Sequence, residues 1–162
     1  MAESLVRRHV VGPFLALLKQ GITPEKVALS IALGVVCGLF PIMGATTLLC
    51  IGAAFAMRLN QVAIQVVNYL MSPLQVGGIL LFVRLGEWLV GAEPVPFSPA
   101  ELARAFRAHP AAFFSRFGWT GLHGILGWSV VAPFVALALY AAVVPVLRRA
   151  AAEVVPEVEA LP

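Results

Sequence analysis

The chain has 162 residues, enough for one domain; 60% of them are hydrophobic and 12% charged, and the mean hydropathy is +0.94. Soluble domains carry about 45–50% apolar and about 25% charged residues, so this chain holds more apolar side chain than a soluble core of its size can hide. The net charge of +3 comes mainly from Arg7, Arg8, Lys19, Lys26, Arg58, Arg84, Arg148 and Arg149, which flank apolar stretches as cations flank headgroups and do not form a nucleic-acid patch.

No Asp, Glu, Lys or Arg occurs in residues 27–57, 59–83 or 117–147. A buried helix of a soluble protein seldom runs so far without a polar face. The expected fold class is therefore an all-α integral membrane protein: an N-terminal amphipathic helix, broken or re-entrant helical hairpins and a C-terminal Gly-rich transmembrane helix.

Residues 1–22 are expected to form an amphipathic surface helix, with Leu5, Val10, Phe14 and Leu18 set against Arg7, Arg8 and Lys19 and a kink at Gly12-Pro13. The basic breaks and the lack of a clean apolar core argue against a cleavable signal peptide. A membrane domain is expected over residues 23–149. It starts at Thr23-Pro24-Glu25, where Thr caps, Pro takes the first helical position and Glu meets the positive end of the dipole. The apolar run that follows, residues 27–40, would rise only about 21 Å, and a hydrocarbon core of about 30 Å needs about 20 residues.

Pro41-Ile42-Met43-Gly44 then interrupts the chain, and a second short run leads to Arg58. A hairpin over residues 24–58 and one long broken span are both compatible with this pattern. The hairpin is favoured because it puts Lys26 and Arg58 at one face. A broken helix is expected over residues 60–89, interrupted at Ser72-Pro73, which resembles a cap followed by a first-turn proline. Its first half carries Gln61, Gln65, Asn68 and Ser72 on one helical face, fit either to line a polar path or to bond between protomers.

Ser98-Pro99-Ala100-Glu101 reads as a capping box opening an interfacial, arginine-anchored helix over residues 98–116. A transmembrane helix is expected over residues 118–147, crossing with tilt or with a kink at Pro133. Gly118, Gly121, Gly124 and Gly127 recur every three residues and leave a ridge on which another helix can pack. An acidic, loose tail is expected over residues 150–162.

The order and spacing of Gly21, Thr23, Pro24, Ala28, Ser30, Gly34, Gly38, Pro41, Gly44, Thr47, Leu59 and Asn60 resemble the bacterial domain of unknown function 2062. The resemblance spans residues 10–149. Ser72 stands where that family usually has Asn before the proline, and Thr46 where a large polar residue is common, so contacts made by those side chains in the family do not carry over. The resemblance implies a small multi-pass protein of the bacterial inner membrane, sometimes joined to a glycosyltransferase domain, and leaves its activity open.

Two readings of the chemistry follow. If the hairpin re-enters, its second half-helix starts inside the bilayer and presents free N–H groups beside Thr46 and Thr47, an anion receptor. A second start at Ser72-Pro73 would complete a site for an anionic lipid, a phospholipid or polyprenyl phosphate, with Arg58 or Arg84 as countercharge. The candidate site residues are Pro41, Gly44, Thr46, Thr47, Arg58, Asn60, Asn68, Ser72 and Arg84. In the other reading Ser30, Gly34 and Gly38 only permit tight packing, Arg58, Arg84 and Glu87 anchor at the interface, and the protein is a scaffold for a glycosyltransferase or another envelope enzyme. Membrane lipids and further copies of the chain are expected partners in both.

Neither catalysis nor a metal or other cofactor is expected. The sequence contains no Asp, its Glu residues sit in flanks and tail, and His9, His109 and His123 stand apart. Cys37 and Cys50 lie in apolar runs, where Cys behaves as a small hydrophobe.

Overall fold

The computed structural model describes residues 22–95, 107–108 and 110–159. The elements within these residues are helices: α1 (Pro24–Gly38), α2 (Ala45–Met57), α3 (Gln61–Val90) and α4 (Pro110–Glu159). Residues 1–21 of the expected surface helix, residues 98–106 and 109 of the expected interfacial helix and residues 160–162 of the expected tail lie outside the described part.

Helix α1 begins as the sequence indicates, with Thr23 Oγ1 accepting the N–H of Lys26 at 3.4 Å and Pro24 in the first turn. It is buried along much of its circumference because α2, α3 and α4 all pack on it. Gly34 and Gly38 make this possible, since a Cβ at Gly34 would come within 2.7 Å of Val67 Cβ, and one at Gly38 within 2.9 Å of Met71 Cβ. Ser30, also buried, turns its hydroxyl back to the Lys26 carbonyl at 2.8 Å. These three positions do the packing task that small residues suggest.

Fifteen residues raise α1 about 22 Å before the chain turns at residues 39–44. Gly44 closes the turn at φ +87°, a left-handed conformation for which glycine carries no Cβ penalty. Helix α2 then returns alongside α1 and ends at Arg58. Ile22, Thr23 and Lys26 meet Arg58, Leu59 and Asn60 around one hollow, so both ends of the hairpin lie together and Lys26 and Arg58 share a face. Cys37 and Cys50, expected to behave as small hydrophobes, join one buried cluster across the hairpin with Ala54 and Ile64, and both are free thiols.

Helix α3 corrects the expectation of a break. Its 30 residues run without interruption through Ser72-Pro73, about 45 Å in all. Pro73 is exposed on the outer side, where it removes one backbone donor, while α1 and α4 hold the opposite side of the helix in place. Asn68, Gln75 and Phe82, spaced by seven residues, form the buried seam of α3, and Ser72 lies about 60° away from it and is exposed. The four-residue polar face is thereby split: Asn68 is buried and Gln65 half-buried, whereas Gln61 and Ser72 are exposed.

Helix α4 joins three segments expected to be separate. One helix of 50 residues replaces the end of the interfacial helix, the transmembrane helix and most of the tail. Its continuation past residue 147 is favoured by the ion pair of Arg148 with Glu25, 2.8 Å, and by the strong helix formers Ala150, Ala151 and Ala152. Residues 61–90 and 118–152 are long and apolar enough to cross a membrane, with mean hydropathies of 1.6 and 2.4. They pack backbone to backbone: a Cβ on Gly86 would collide with the His123 carbonyl, and one on Gly127 with the Phe82 carbonyl. At the end of the bundle near Glu25 a second cluster, Val27, Ala28, Ala63, Val67, Val144 and Leu147, ties α1, α3 and α4 together.

Candidate functional site

The hairpin tip must satisfy the carbonyls that α1 leaves unpaired where it stops. The N–H groups of Leu39 and Phe40 return to the carbonyls of Val35 and Cys37, at 3.0 and 3.2 Å. The Val36 carbonyl instead accepts the indole N–H of Trp128, 2.9 Å, and the Phe40 carbonyl accepts an amide N–H of Gln75, 2.8 Å. The Trp128 ring also meets Phe40 edge to face, with centroids 5.0 Å apart and planes at 89°. A carbonyl left bare in such a place costs about 1–3 kcal/mol, so these two side chains are what allow the helix to end inside the bundle.

The start of α2 is treated differently. The N–H of Ala45 bonds the Ile42 carbonyl at 3.3 Å, but no side chain caps Gly44. Thr46 is buried and Thr47 half-buried behind it. The Thr47 carbonyl accepts from Gln65 Nε2 at 3.2 Å, and Gln65 Oε1 accepts from Asn68 Nδ2 at 3.0 Å. Of the candidate residues, Pro41, Gly44, Thr46 and Thr47 thus gather at the tip, and Asn68 reaches them through Gln65.

Beside the tip opens an apolar groove of about 580 Å³, walled by Pro41, Ile42 and Met43, by Ile79 and Val83 of α3, and by Gly118, Thr120, Gly121, Leu122 and Ile125 of α4. Pro41 is wedged between helices: a Cβ on Gly124 would come within 3.1 Å of Val83 and 3.2 Å of Pro41. One helical turn further along the groove, Gly118 and Gly121 have nothing within 4 Å of where a Cβ would project. The missing side chains leave the groove its width.

The remaining candidates do not join the tip. Ser72 is exposed within a continuous helix and starts nothing. Arg58 and Asn60 lie at the far end of α2, about 20 Å along its axis. Arg84 is committed elsewhere: its guanidinium donates to Glu87 Oε2 at 2.7 Å and to the Val95 carbonyl at 3.0 Å, while Glu87 Oε1 accepts the Val95 N–H at 3.0 Å. Glu87 is 2% exposed, so this clasp pins the chain after α3 back onto the helix. The expected phosphate between two half-helix starts, countered by Arg58 or Arg84, is replaced by one helix start beside an apolar groove.

Gln75 and Trp128, which bond the carbonyls at the tip, are the positions that the sequence reading passed over. The only signal for Gln75 is an amide in the middle of an apolar run, and for Trp128 an indole N–H in a membrane-like helix, where a lone donor must find an acceptor.

The model of the family described as "Uncharacterized protein conserved in bacteria (DUF2062)" matches residues 8–153. The chain belongs to that family. The match takes in the whole of α1, α2 and α3 and most of α4, so the hairpin, its tip and the groove are parts of the family domain. No curated protein and no solved structure matches the chain.

Proposed function

We propose that this DUF2062 protein is a non-enzymatic protein of the bacterial inner membrane that binds or moves an anionic lipid, a phospholipid or polyprenyl phosphate. In this reading α3 and α4 cross the bilayer and the α1–α2 hairpin re-enters from the cytoplasmic side. Lys26, Arg58, Arg148 and Arg149 at the open end of the hairpin support that orientation by the excess of positive charge on cytoplasmic faces. The outward faces support a lipid surround: Leu48 is 70% exposed, Phe55 88% and Phe134 71%.

The observation that carries the proposal is the groove itself, an apolar channel of about 580 Å³ that opens beside the uncapped amino end of α2. An acyl or isoprenoid chain fills the first, and a phosphate is drawn to the partial positive charge of the second. The full chain reconstituted in liposomes is expected to speed phospholipid or polyprenyl-phosphate translocation. Gly121→Leu, whose Cβ meets nothing within 4 Å, puts a side chain into the groove and is expected to abolish that gain in a protein that still folds. Equal rates with and without protein would remove the reading.

A second reading rests on the same open glycines. Gly118 and Gly121 also offer a flat seat for a helix of another chain, which suits a scaffold for a glycosyltransferase or other envelope enzyme, or self-association. It predicts that Gly121→Leu releases the partner and that translocation never rises above the protein-free rate.

A further inference from the structure

The end of the bundle opposite the groove carries a feature that the proposal above does not use. Ile22, Thr23 and Lys26 from the start of α1 and Arg58, Leu59 and Asn60 from the link between α2 and α3 enclose a hollow of about 280 Å³. Asn60 and Ile79 are separated by 19 residues of α3, so this hollow lies about 28 Å along the helix from the groove.

Charge in the hollow is one-sided. Glu25, the acid next to Lys26, is paired with Arg148 at 2.8 Å. The side chains of Lys26 and Arg58 are exposed and have no hydrogen-bond or ion-pair partner among the described residues. The amino ends of α1 and α3 both abut the hollow, capped by Thr23 and by Asn60, whose Oδ1 accepts the Ala63 N–H at 2.9 Å. Their dipoles add to the positive potential of the two cations.

Arg58 also holds a conformation that its position does not favour. It is the only non-glycine among the described residues with positive φ, at φ +53° and ψ +48°, in the helix-ending place that glycine usually takes. An arginine kept there against its backbone preference is an observed outlier of the kind found at ligand sites.

We propose that this hollow binds a phosphate group, gripped by the guanidinium of Arg58 and the ammonium of Lys26, at the face of the membrane opposite the groove. Its volume holds a phosphate ester, and Arg58 can offer two parallel donors to one phosphate where Lys26 supplies a point charge. The shared chemistry belongs to a lipid headgroup or to a phosphate in solution. It does not depend on what the groove holds.

The test titrates the full chain in detergent with dihexanoyl phosphatidic acid, with inorganic phosphate, and with dihexanoyl phosphatidylcholine as the shielded control, following ³¹P shifts. Saturable binding of at least one of the first two is expected, weaker at high salt. Lys26→Gln and Arg58→Gly are each expected to weaken it roughly tenfold, the loss of a charge-assisted contact. Arg58→Gly removes the unfavourable side chain from a left-handed position, so it should leave the thermal midpoint unchanged or raised, which separates lost binding from lost folding. Saturation by phosphatidic acid alone assigns the site to a headgroup, and equal saturation by inorganic phosphate assigns it to a free anion. Gly121→Leu should leave this binding intact, so the groove and the hollow stand or fall separately. The proposal is overturned if neither phosphate saturates, or if the Lys26→Gln/Arg58→Gly double variant binds as tightly as the native chain.

Discussion

Gly118 and Gly121 on one side and Gly124 and Gly127 on the other form a single three-residue repeat, yet the fold uses the two pairs in opposite ways. Gly124 and Gly127 admit Pro41, Val83 and the Phe82 backbone, and Gly86 answers from α3 by admitting His123. Gly118 and Gly121 face open space along the groove. A three-residue repeat turns by about 60° around the helix at each step, so the glycines face different sides of α4, and the gap becomes a contact where a neighbouring helix lies and a cavity where none does.

Substitution at the closed pair should give the largest effect. Gly86→Ala or Gly127→Ala puts a methyl against a carbonyl of the facing helix and is expected to cost about 3 kcal/mol or more, read as a fall in thermal midpoint in detergent. The same change at Gly118 or Gly121 should be neutral or stabilise by up to about 1 kcal/mol, because alanine is the better helix former. Equal tolerance at Gly127 and Gly121 would erase the distinction between the pairs.

A smaller effect is expected where α1 stops. Gln75→Leu keeps the volume but strips the Phe40 carbonyl of its donor, for an expected loss of about 1–3 kcal/mol, whereas Gln61→Leu on the exposed end of the same helix should change little. Matching midpoints for the two variants would show that the tip does not need its carbonyl covered.

The smallest expected effect lies at the charged end. Hydrogen bonding to its own backbone N–H, and then to Arg148, holds the Glu25 carboxyl below the usual carboxylate range. Its contribution is therefore present above that range and is lost as pH falls through the lowered value. Solvent reaches both partners and screens the pair, so Glu25→Gln should only flatten slightly the fall in thermal midpoint between about pH 6 and about pH 3.

Local chemistry made the hairpin readable in advance. Thr23-Pro24 starts α1, Pro41 to Gly44 turns it, and Lys26 and Arg58 come out together, because caps, prolines and charges act on their own few residues. Ser72-Pro73 carries the same signature as Thr23-Pro24 and does not start a helix, since α3 is held from the other side by α1 and α4. The boundaries within α4 were illegible for a similar reason: Gly118 and Arg148 resemble endings, but one lines a groove and the other pairs with Glu25 more than a hundred positions away. At the candidate site the tip residues were visible as a motif, whereas Gln75 and Trp128 matter only through carbonyls contributed by another helix.

The hairpin that leaves and returns at one end of the bundle has a bookkeeping consequence for the whole polypeptide. In the proposed membrane arrangement this out-and-back excursion adds nothing to the parity of crossings, which then rests on α3 and α4 among the described helices. Ile22 packs near Leu147, so the start of α1 and residue 148 of α4 lie at the same end of the bundle. In the proposed arrangement, domains joined close to these two points would face one and the same leaflet.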